Sequence, residues 1–338
     1  MKRSKILVPI LIGAIVGVTV GVFHSQIWNL PWNPFKWSAQ ERLEKSFQNL
    51  SLLKTLRTDG SVELKFTKKT EEEEKESSPE SFLISFLFSQ ESDKSDKDSL
   101  KSEGTYTLSF GEEGMEISFR GEAKTIGDTL YLKITSLPPF PLFEMGFGEF
   151  KNQWIKIDKK EWEKITGREI KESEKEKQDQ LIKEITQLFT KKEVFEIKKV
   201  FGKEKINNNS SFHYLVSIKK EELKQLIPQF LRTIEKYNPE ENQEIENFLK
   251  EFPEKFEEFF EKIGGIDFEV WIGKDNNLQK IKFEKEVDLG LIEEIQDSEL
   301  RNTKLKIAFE GRFSEFNREI KIEPPKEFKL IEEILPNK

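Results

Sequence analysis

The stretch GTYTLSFGEEGMEISF, residues 104–119, decides the fold class. Apolar residues alternate with polar ones on both sides of a GEEG turn, at Tyr106, Leu108, Phe110, Met115, Ile117 and Phe119. Alternation with a period of two is typical of a strand with one buried face, and two such runs joined by a Gly-rich turn predict a hairpin. We therefore expect an antiparallel sheet in this part of the chain.

Further strand patterns lie on both sides of this hairpin. Residues 82–88, FLISFLF, are apolar on both faces, so this strand is expected to be covered on both sides. Alternation also occurs at residues 62–66, 130–134, 154–157, 194–200, 212–218, 266–272 and 281–287, and in a last hairpin between 305–309 and 313–322. Tight turns join most of these roughly twelve runs, which favours antiparallel pairing.

Helical spacing of apolar residues occurs in two regions. Residues 38–56 carry Leu43, Phe47, Leu50 and Leu53, with Ser38 as N-cap and Glu41 three residues later. Between residues 181 and 263, four narrow apolar stripes lie opposite Lys/Glu faces.

Two prolines interrupt these stripes. Pro228 is expected to kink or restart the second helix. Pro253 is expected to open the fourth, which Gly264 and Gly265 would close. The predicted fold is α+β: a large curved antiparallel sheet (half-barrel) with helices packed on its concave side, preceded by one transmembrane helix.

The N-terminal segment predicts a membrane anchor. Lys2, Arg3 and Lys5 precede the uncharged run ILVPILIGAIVGVTVGVF, residues 6–23. At 1.5 Å per residue such a run just spans a hydrocarbon layer of about 30 Å, and the flanking cations place the N-terminus in the cytoplasm. We expect a cytoplasmic tail (1–5), a transmembrane helix (6–24), a tether (25–40) and a single extracytoplasmic domain (41–330) at the plasma membrane.

A cleaved signal peptide is the alternative, but its apolar region would be shorter and followed by a small-x-small site. Phe23 and Ser25 occupy the critical positions here, which fits cleavage poorly. Within the anchor, which runs from Ile6 to Phe23, glycines recur every fourth residue, at Gly13, Gly17 and Gly21. This small-xxx-small pattern predicts self-association through one helix face, although Gly is also common in such helices.

Composition excludes several kinds of site. The chain has no Cys and two His, which excludes disulfides, thiol catalysis and a His-rich metal centre. Lys and Glu are interleaved without a basic stripe, so no nucleic-acid partner is expected. No nucleotide, protease or hydrolase motif is present, and His213 lies in a strand pattern without a nearby triad. We expect no enzyme activity, no catalytic residues, no metal and no cofactor.

Three phrases resemble strand sequences of the LolA and LppX/LprG lipoprotein group: TLYLKIT (Thr129–Thr135), QWIKID (Gln153–Asp158) and FEVWIGKDNNLQKIKFE (Phe268–Glu284). The resemblance covers roughly residues 40–325. It implies a half-barrel whose sheet and helices hold a lipid or lipid-linked group between them. Two features depart from the group: the lipid-accepting Cys is absent, and a membrane helix stands in its place. A permanent tether puts soluble ferrying of lipid in doubt.

The 29 Phe residues favour a membrane-tethered, extracytoplasmic protein that binds a lipid or other apolar ligand between sheet and helices. The candidate ligand-lining residues are Phe110, Phe119, Leu132, Phe268, Val270 and Phe283. The alternatives are a non-enzymatic scaffold or interaction module of the cell envelope with a solid core, and an unrecognised hydrolase. An enclosed apolar pocket of at least ~300 Å³ would favour ligand binding over the scaffold.

Overall fold

A computed structural model of the chain describes residues 38–69, 81–96, 99–112, 115–138, 148–166, 194–207, 209–237, 242–291 and 298–330, with isolated positions between 177 and 188 and at 333. The predicted cytoplasmic tail, the transmembrane helix with its Gly13, Gly17 and Gly21 face, and the tether up to residue 37 lie outside these residues. Within the described part of the chain, no helix is both long and apolar enough to cross a lipid bilayer.

The described residues form twelve strands and five α-helices. The strands are β1 (Thr55–Lys68), β2 (Ser81–Asp93), β3 (Lys101–Glu112), β4 (Met115–Ile126), β5 (Thr129–Ser136), β6 (Trp154–Ile157), β7 (Phe195–Ile206), β8 (Asn209–Ile218), β9 (Asp267–Gly273), β10 (Leu278–Asp288), β11 (Thr303–Ser314) and β12 (Lys329–Leu330). The helices are α1 (Ala39–Leu52), α2 (Lys159–Thr166), α3 (Lys220–Tyr237), α4 (Asn242–Ile263) and α5 (Ser298–Arg301).

These elements fall into two compact units. Unit 1 comprises Met1–Leu52 and Lys171–Lys304, and unit 2 comprises Leu53–Ile170 and Leu305–Lys338. Strands of unit 2 follow the order β12-β6-β5-β4-β3-β2-β1-β11, and those of unit 1 the order β10-β9-β8-β7. Each unit contains antiparallel strands and at least one helix, which confirms the α+β class. The single domain and the half-barrel curvature stay predictions.

Unit 2 is a meander in which each strand from β1 to β6 pairs antiparallel with the next. The predicted central hairpin is confirmed, because β3 ends at Glu112 and β4 begins at Met115. Its register places Leu108 opposite Phe119 and Phe110 opposite Ile117. Apolar residues of neighbouring strands are therefore on the same face of the sheet.

The expected last hairpin between residues 305–309 and 313–322 is wrong. β11 continues through Gly311, which is buried inside the strand, to Ser314. The chain turns only after this point, where Glu315 and Asn317 both adopt a φ of 54°. Asn is one of the few side chains that tolerate this left-handed conformation. Asn317 also accepts a hydrogen bond from the Lys54 N–H at 2.8 Å and donates its own N–H to the Thr55 carbonyl at 3.0 Å.

Helix α1 begins with the predicted capping box. The Glu41 N–H donates to Ser38 Oγ at 3.1 Å, and the Ser38 N–H donates to Glu41 Oε2 at 2.7 Å. Both contacts satisfy backbone donors that the first helical turn leaves unpaired. The helix ends at Leu52, four residues before the predicted end, and Leu43 and Leu50 are buried.

Helix α1 packs on the sheet of unit 1 at the turn between β9 and β10. Arg42 Nη1 donates to Asn276 Oδ1 at 2.8 Å, and the Asn49 amide donates to the Asn276 carbonyl at 3.1 Å. At the edge strand, Gln40 donates to the Phe195 carbonyl at 3.1 Å, and the rings of Phe47 and Phe195 lie 5.4 Å apart. Polar contacts and one aromatic pair together fix α1 on this sheet.

The expectations for the two prolines are only partly correct. Pro228 lies inside the continuous helix α3, which does not restart there. Pro253 likewise lies inside α4, so the third and fourth predicted stripes belong to one helix. Phe248, Phe252, Phe256 and Phe260 form an unbroken row on this helix, with ring centroids 5.0–5.5 Å apart. Burial of such rings contributes roughly 1.5–3 kcal/mol each, enough to offset one missing backbone hydrogen bond.

Helix α4 ends as predicted, because the N–H of Gly264, with a φ of 70°, bonds the Phe260 carbonyl at 3.0 Å. Helices α3 and α4 are also joined by ion pairs from Lys220 and Lys224 to Glu257. Both helices also contribute side chains to the buried core, among them Leu226, Ile227, Phe252 and Phe256.

Candidate functional site

The strands β1 to β4 bring thirteen apolar side chains to one face of unit 2. The register pairs Val62 with Phe86, Phe86 with Leu108 and Leu108 with Phe119, and residues two apart on a strand share a face. This "apolar face" comprises Val62, Leu64, Phe66, Phe82, Ile84, Phe86, Phe88, Tyr106, Leu108, Phe110, Met115, Ile117 and Phe119.

Several of these side chains remain accessible. Phe82 is 38% exposed, Phe86 36%, Leu108 41% and Met115 69%. The apolar side chains on one face of β8 and β9 in unit 1 are buried instead, because no more than 5% of Val216, Phe268, Val270 or Ile272 is exposed. Large exposed apolar patches mark sites for ligands, membranes or partner proteins.

Aromatic rings form the centre of the apolar face. Phe86 stacks against Phe88 with centroids 5.8 Å apart and against Tyr106 at 6.1 Å. Phe110 and Phe119 stack across β3 and β4 at 6.0 Å. Stacked pairs of this kind contribute about 0.5–1.5 kcal/mol beyond the area that they bury. The rings therefore hold one another in place through their stacking contacts.

Two glycines allow aromatic side chains to lie close to the backbone. A methyl group at Gly60 would lie 2.5 Å from Cζ of Phe88, so the Phe88 ring covers the space where a side chain would be. A methyl group at Gly104 would lie 3.1 Å from the Tyr106 hydroxyl oxygen. Both rings thus lie over a glycine rather than projecting straight from the sheet.

The opposite face of unit 2 is polar. Lys124 pairs with Glu103 at 2.7 Å, and Lys133 pairs with Glu122 at 2.8 Å, each across neighbouring strands. Both lysines also lie over the ring of Trp154, at 5.8 and 5.0 Å. The two faces of this sheet therefore differ sharply in polarity.

Strand β2 shows that one expectation was wrong. FLISFLF was expected to be covered on both sides, but 38% of Phe82 and 36% of Phe86 are exposed on the apolar face, and 49% of Leu87 on the polar face. In β1 and β3 the apolar residues lie on one face only, and this alternation shows which face of the sheet is apolar. β2 carries apolar residues on both faces, so its own sequence does not show it. A continuous apolar run therefore did not mean a fully buried strand here.

One cleft lies at the end of the β3–β4 hairpin. Its volume is about 430 Å³, and its lining is Lys65, Ser81, Leu83, Ser109, Phe110, Gly111, Glu112, Met115 and Glu116. Five of these nine residues carry a charge or a hydroxyl group. This cleft therefore differs from an enclosed apolar pocket, the feature that would favour the ligand-binding hypothesis over the scaffold with a solid core.

The six candidate ligand-lining residues are divided between the units. Phe110 and Phe119 stack on the apolar face of unit 2, and Leu132, 36% exposed, continues that face on β5 opposite Ala123. Phe268 and Val270 are buried in unit 1, where Phe268 lies opposite Phe283 and its ring meets Phe195 edge-on at 5.6 Å. Their role in ligand binding stays a prediction.

The sequence pointed to only part of the apolar face. Phe82, Phe86, Phe88 and Tyr106 were not among the candidate residues, although they form its aromatic centre. Gly60 and Gly104, which make this arrangement possible, also follow the strand alternation of their aromatic neighbours. Both glycines occupy strand positions where the alternation places apolar side chains, and this pattern was the signal in the sequence that could have pointed to the aromatic centre.

Unit 1 contains one notable polar cluster, around His213. His213 Nδ1 lies 2.9 Å from Glu204 Oε1, and Nε2 lies 2.6 Å from Glu269 Oε2. The imidazole is stacked between Phe201 at 4.3 Å and Trp271 at 4.2 Å. Both ring nitrogens are thus within hydrogen-bond distance of a carboxylate, and aromatic rings cover the imidazole on two sides.

The same cluster affects Glu204. The Trp271 indole N–H donates to Glu204 Oε2 at 2.8 Å. This hydrogen bond, and next the contact with His213, lower the pKa of the Glu204 carboxyl below its ordinary value. In the described part of the chain, no group of three or more His, Asp or Glu side chains could hold a metal ion.

Comparison with known proteins gives few matches. No family model matches the sequence, and no curated protein matches it significantly. Among solved structures, LprF from Mycobacterium bovis aligns with 85% of this chain and 96% of its own length, at 9% identity and a TM-score of 0.36. The lipoprotein LppX from Mycobacterium tuberculosis aligns with 84% of this chain and 97% of its own, at 13% identity and a TM-score of 0.32.

The chain resembles the LppX group, as its sequence phrases predicted.

Proposed function

We propose that this protein is a membrane-tethered, extracytoplasmic, non-enzymatic binding protein for a lipid or other apolar ligand, and that the apolar face of unit 2 contacts that ligand. The observation that carries the proposal is the exposure of this face. Its aromatic and aliphatic side chains remain 36–69% exposed at Phe82, Phe86, Leu108 and Met115, whereas matching positions in unit 1 are closed.

The size of the face is sufficient for this role. The exposed parts of these four side chains and of Leu132 together amount to an apolar area on the order of 400 Å², the size of patch that is often functional on a monomer. At roughly 25 cal/mol per Å², covering it yields about 10 kcal/mol before the cost of association. A bound acyl chain can supply that cover because it needs no hydrogen-bonding groups of its own.

The membrane anchor would bring the face close to lipid. The uncharged run at residues 6–23 supports insertion, and the basic residues before it support a cytoplasmic N-terminus. A tethered binding protein would take its ligand from the membrane in which it sits.

Photo-crosslinking in membranes tests the proposal. The full-length chain is placed in vesicles that contain a lipid with a diazirine near the middle of one acyl chain, and the modified residues are located by mass spectrometry after illumination. We expect crosslinks at residues 82–88 and 106–119 in addition to residues 6–23. Crosslinks confined to residues 6–23 would leave the apolar face without a lipid ligand.

Two neighbouring residues of β2 provide a matched pair of variants. Phe86→Asp puts a charge at the centre of the apolar face and is expected to reduce crosslinking there at least tenfold. Leu87→Asp puts the same charge on the polar face, at a side chain that is 49% exposed, and is expected to leave the yield unchanged. Equal losses in both variants would indicate general destabilisation rather than a binding surface.

The alternative, a scaffold or interaction module with a solid core, makes a different prediction for the same experiment. The apolar face would then be covered by a protein partner and would acquire no lipid label. The Phe86→Asp variant would lose that partner while its lipid crosslinks stayed at the anchor.

A further inference from the structure

Tyr106 differs from the other residues of the apolar face because it carries a hydroxyl group. Its ring stacks on Phe86 at 6.1 Å, and Gly104 leaves room for the hydroxyl oxygen beside the strand. Among the described residues, that hydroxyl has no hydrogen-bond partner. Burial also raises the pKa of Tyr106, so the group remains a protonated donor at neutral pH.

The surroundings of this hydroxyl carry no charge in the described structure. Three rows of paired residues cross the apolar face here, and none contains a charged side chain: Gly60–Phe88–Tyr106–Gly121, Val62–Phe86–Leu108–Phe119 and Leu64–Ile84–Phe110–Ile117. A carboxylate or phosphate placed in these rows would therefore lose its hydration without a cation to compensate. Within these three rows a neutral acceptor would meet one side-chain donor, the Tyr106 O–H. The adjacent row, Thr58–Gln90–Gly104–Ala123, over which the hydroxyl lies, is also uncharged and adds the Thr58 hydroxyl and the Gln90 amide, which donates to Ser92 Oγ at 3.2 Å.

We propose that Tyr106 is a specificity-determining residue of the apolar face, whose O–H donates a hydrogen bond to the carbonyl oxygen of a neutral ester in the bound lipid. This inference rests on the proposed function, since it requires a ligand on that face. Among apolar ligands, it selects acyl esters over plain hydrocarbon chains and over free fatty acids, whose carboxylate finds no cation in the three rows. The aromatic neighbours and glycines position the hydroxyl without bonding to it.

The Tyr106→Phe variant isolates the hydroxyl, because it keeps the ring and its stacking. Two diazirine probes of equal length are compared in vesicles with the full-length chain: a long-chain methyl ester, and an alkane in which methylene groups replace the carbonyl group and the ester oxygen. The yield at residues 82–88 is divided by the yield at residues 6–23, which corrects for partitioning. A single hydrogen bond corresponds to roughly a three- to tenfold difference in binding.

We expect the normalised ester yield to fall three- to tenfold in Tyr106→Phe, while the alkane yield remains within twofold. Tyr131→Phe is the matched control, because Tyr131 is buried on the polar face against Phe328. It should leave both yields unchanged.

The possible outcomes are distinct. An unchanged ester yield in Tyr106→Phe would overturn the role of the hydroxyl but leave ligand binding intact. An equal fall for both probes would also overturn it, since the ring position and not the donor would then be responsible. Failure of both probes to label residues 82–88 in the unmodified protein would overturn the proposed function itself.

Discussion

Gly60→Ala tests whether the Phe88 ring forms part of the floor of the binding surface. The added methyl carbon would lie 2.5 Å from Cζ and 2.8 Å from Cε1 of Phe88. Carbon atoms normally approach to about 3.5–4.0 Å, so the ring must retreat by about 1 Å. The carbonyl oxygen of Glu310, 3.0 Å from the methyl position, prevents β1 from moving away instead.

The cost to stability is small because two effects oppose each other. Displacing Phe88 weakens its stack with Phe86, worth about 0.5–1.5 kcal/mol. Replacing Gly by Ala lowers the entropy of the unfolded chain, worth about 0.4–1 kcal/mol in favour of folding. We expect the free energy of unfolding, measured by circular dichroism in urea, to change by less than about 1 kcal/mol.

Binding should respond more strongly than stability. A ring raised from the sheet enters the space that a ligand chain would occupy, and the loss of one aromatic contact corresponds to roughly a two- to tenfold decrease in crosslinking at residues 82–88. Gly148→Ala serves as the control, because a methyl group there meets nothing within 4 Å. If Gly60→Ala labels as well as the control at equal stability, Phe88 is not part of the binding surface.

Two further predictions concern unit 1. Phe256 is 1% exposed and lies within the aromatic row of α4. Phe256→Ala should therefore lower the free energy of unfolding, measured in urea, by about 3–5 kcal/mol. A loss below about 1 kcal/mol would show that the row is not packed as described. The folded-state pKa of Glu204 is lowered by Trp271 and then by His213. The ionised carboxylate therefore adds to the free energy of unfolding above the ordinary pKa of 4.5, and this stabilisation is lost as the pH falls through the lower folded pKa. Stability should therefore decline more steeply below pH 4.5 in the unmodified protein than in Glu204→Gln, and parallel curves would contradict this assignment.

Local patterns predicted many of the elements correctly. The GEEG hairpin, the capping box at Ser38 and Glu41, and the end of α4 at Gly264 each depend on residues close together in sequence. Such features follow from backbone preferences that hold in almost any surroundings.

The errors arose where tertiary packing overrides a local preference. Pro253 predicted a helix start, but the Phe row continues across it and keeps α4 in one piece. A hairpin was expected between residues 305–309 and 313–322, but β11 continues through Gly311 to Ser314. Pairing and packing partners decide both cases, and these partners are distant in sequence.

The candidate site was harder to predict than the strands. Alternation predicted that Phe110 and Phe119 share a face, and the register confirms this. It could not show that Phe86 remains exposed while Phe268 is buried, because both belong to apolar strand patterns. The difference depends on what covers each sheet, which the spacing of residues along one strand does not reveal.

The attachment of α1 has a mechanical consequence. A force applied to the chain at Ser38 would load the capping contacts of α1 and then the hydrogen bonds from Arg42 and Asn49 to the β9–β10 turn. Several hydrogen bonds along one helix would share that load, so α1 would resist detachment from the sheet of unit 1 better than a single contact could.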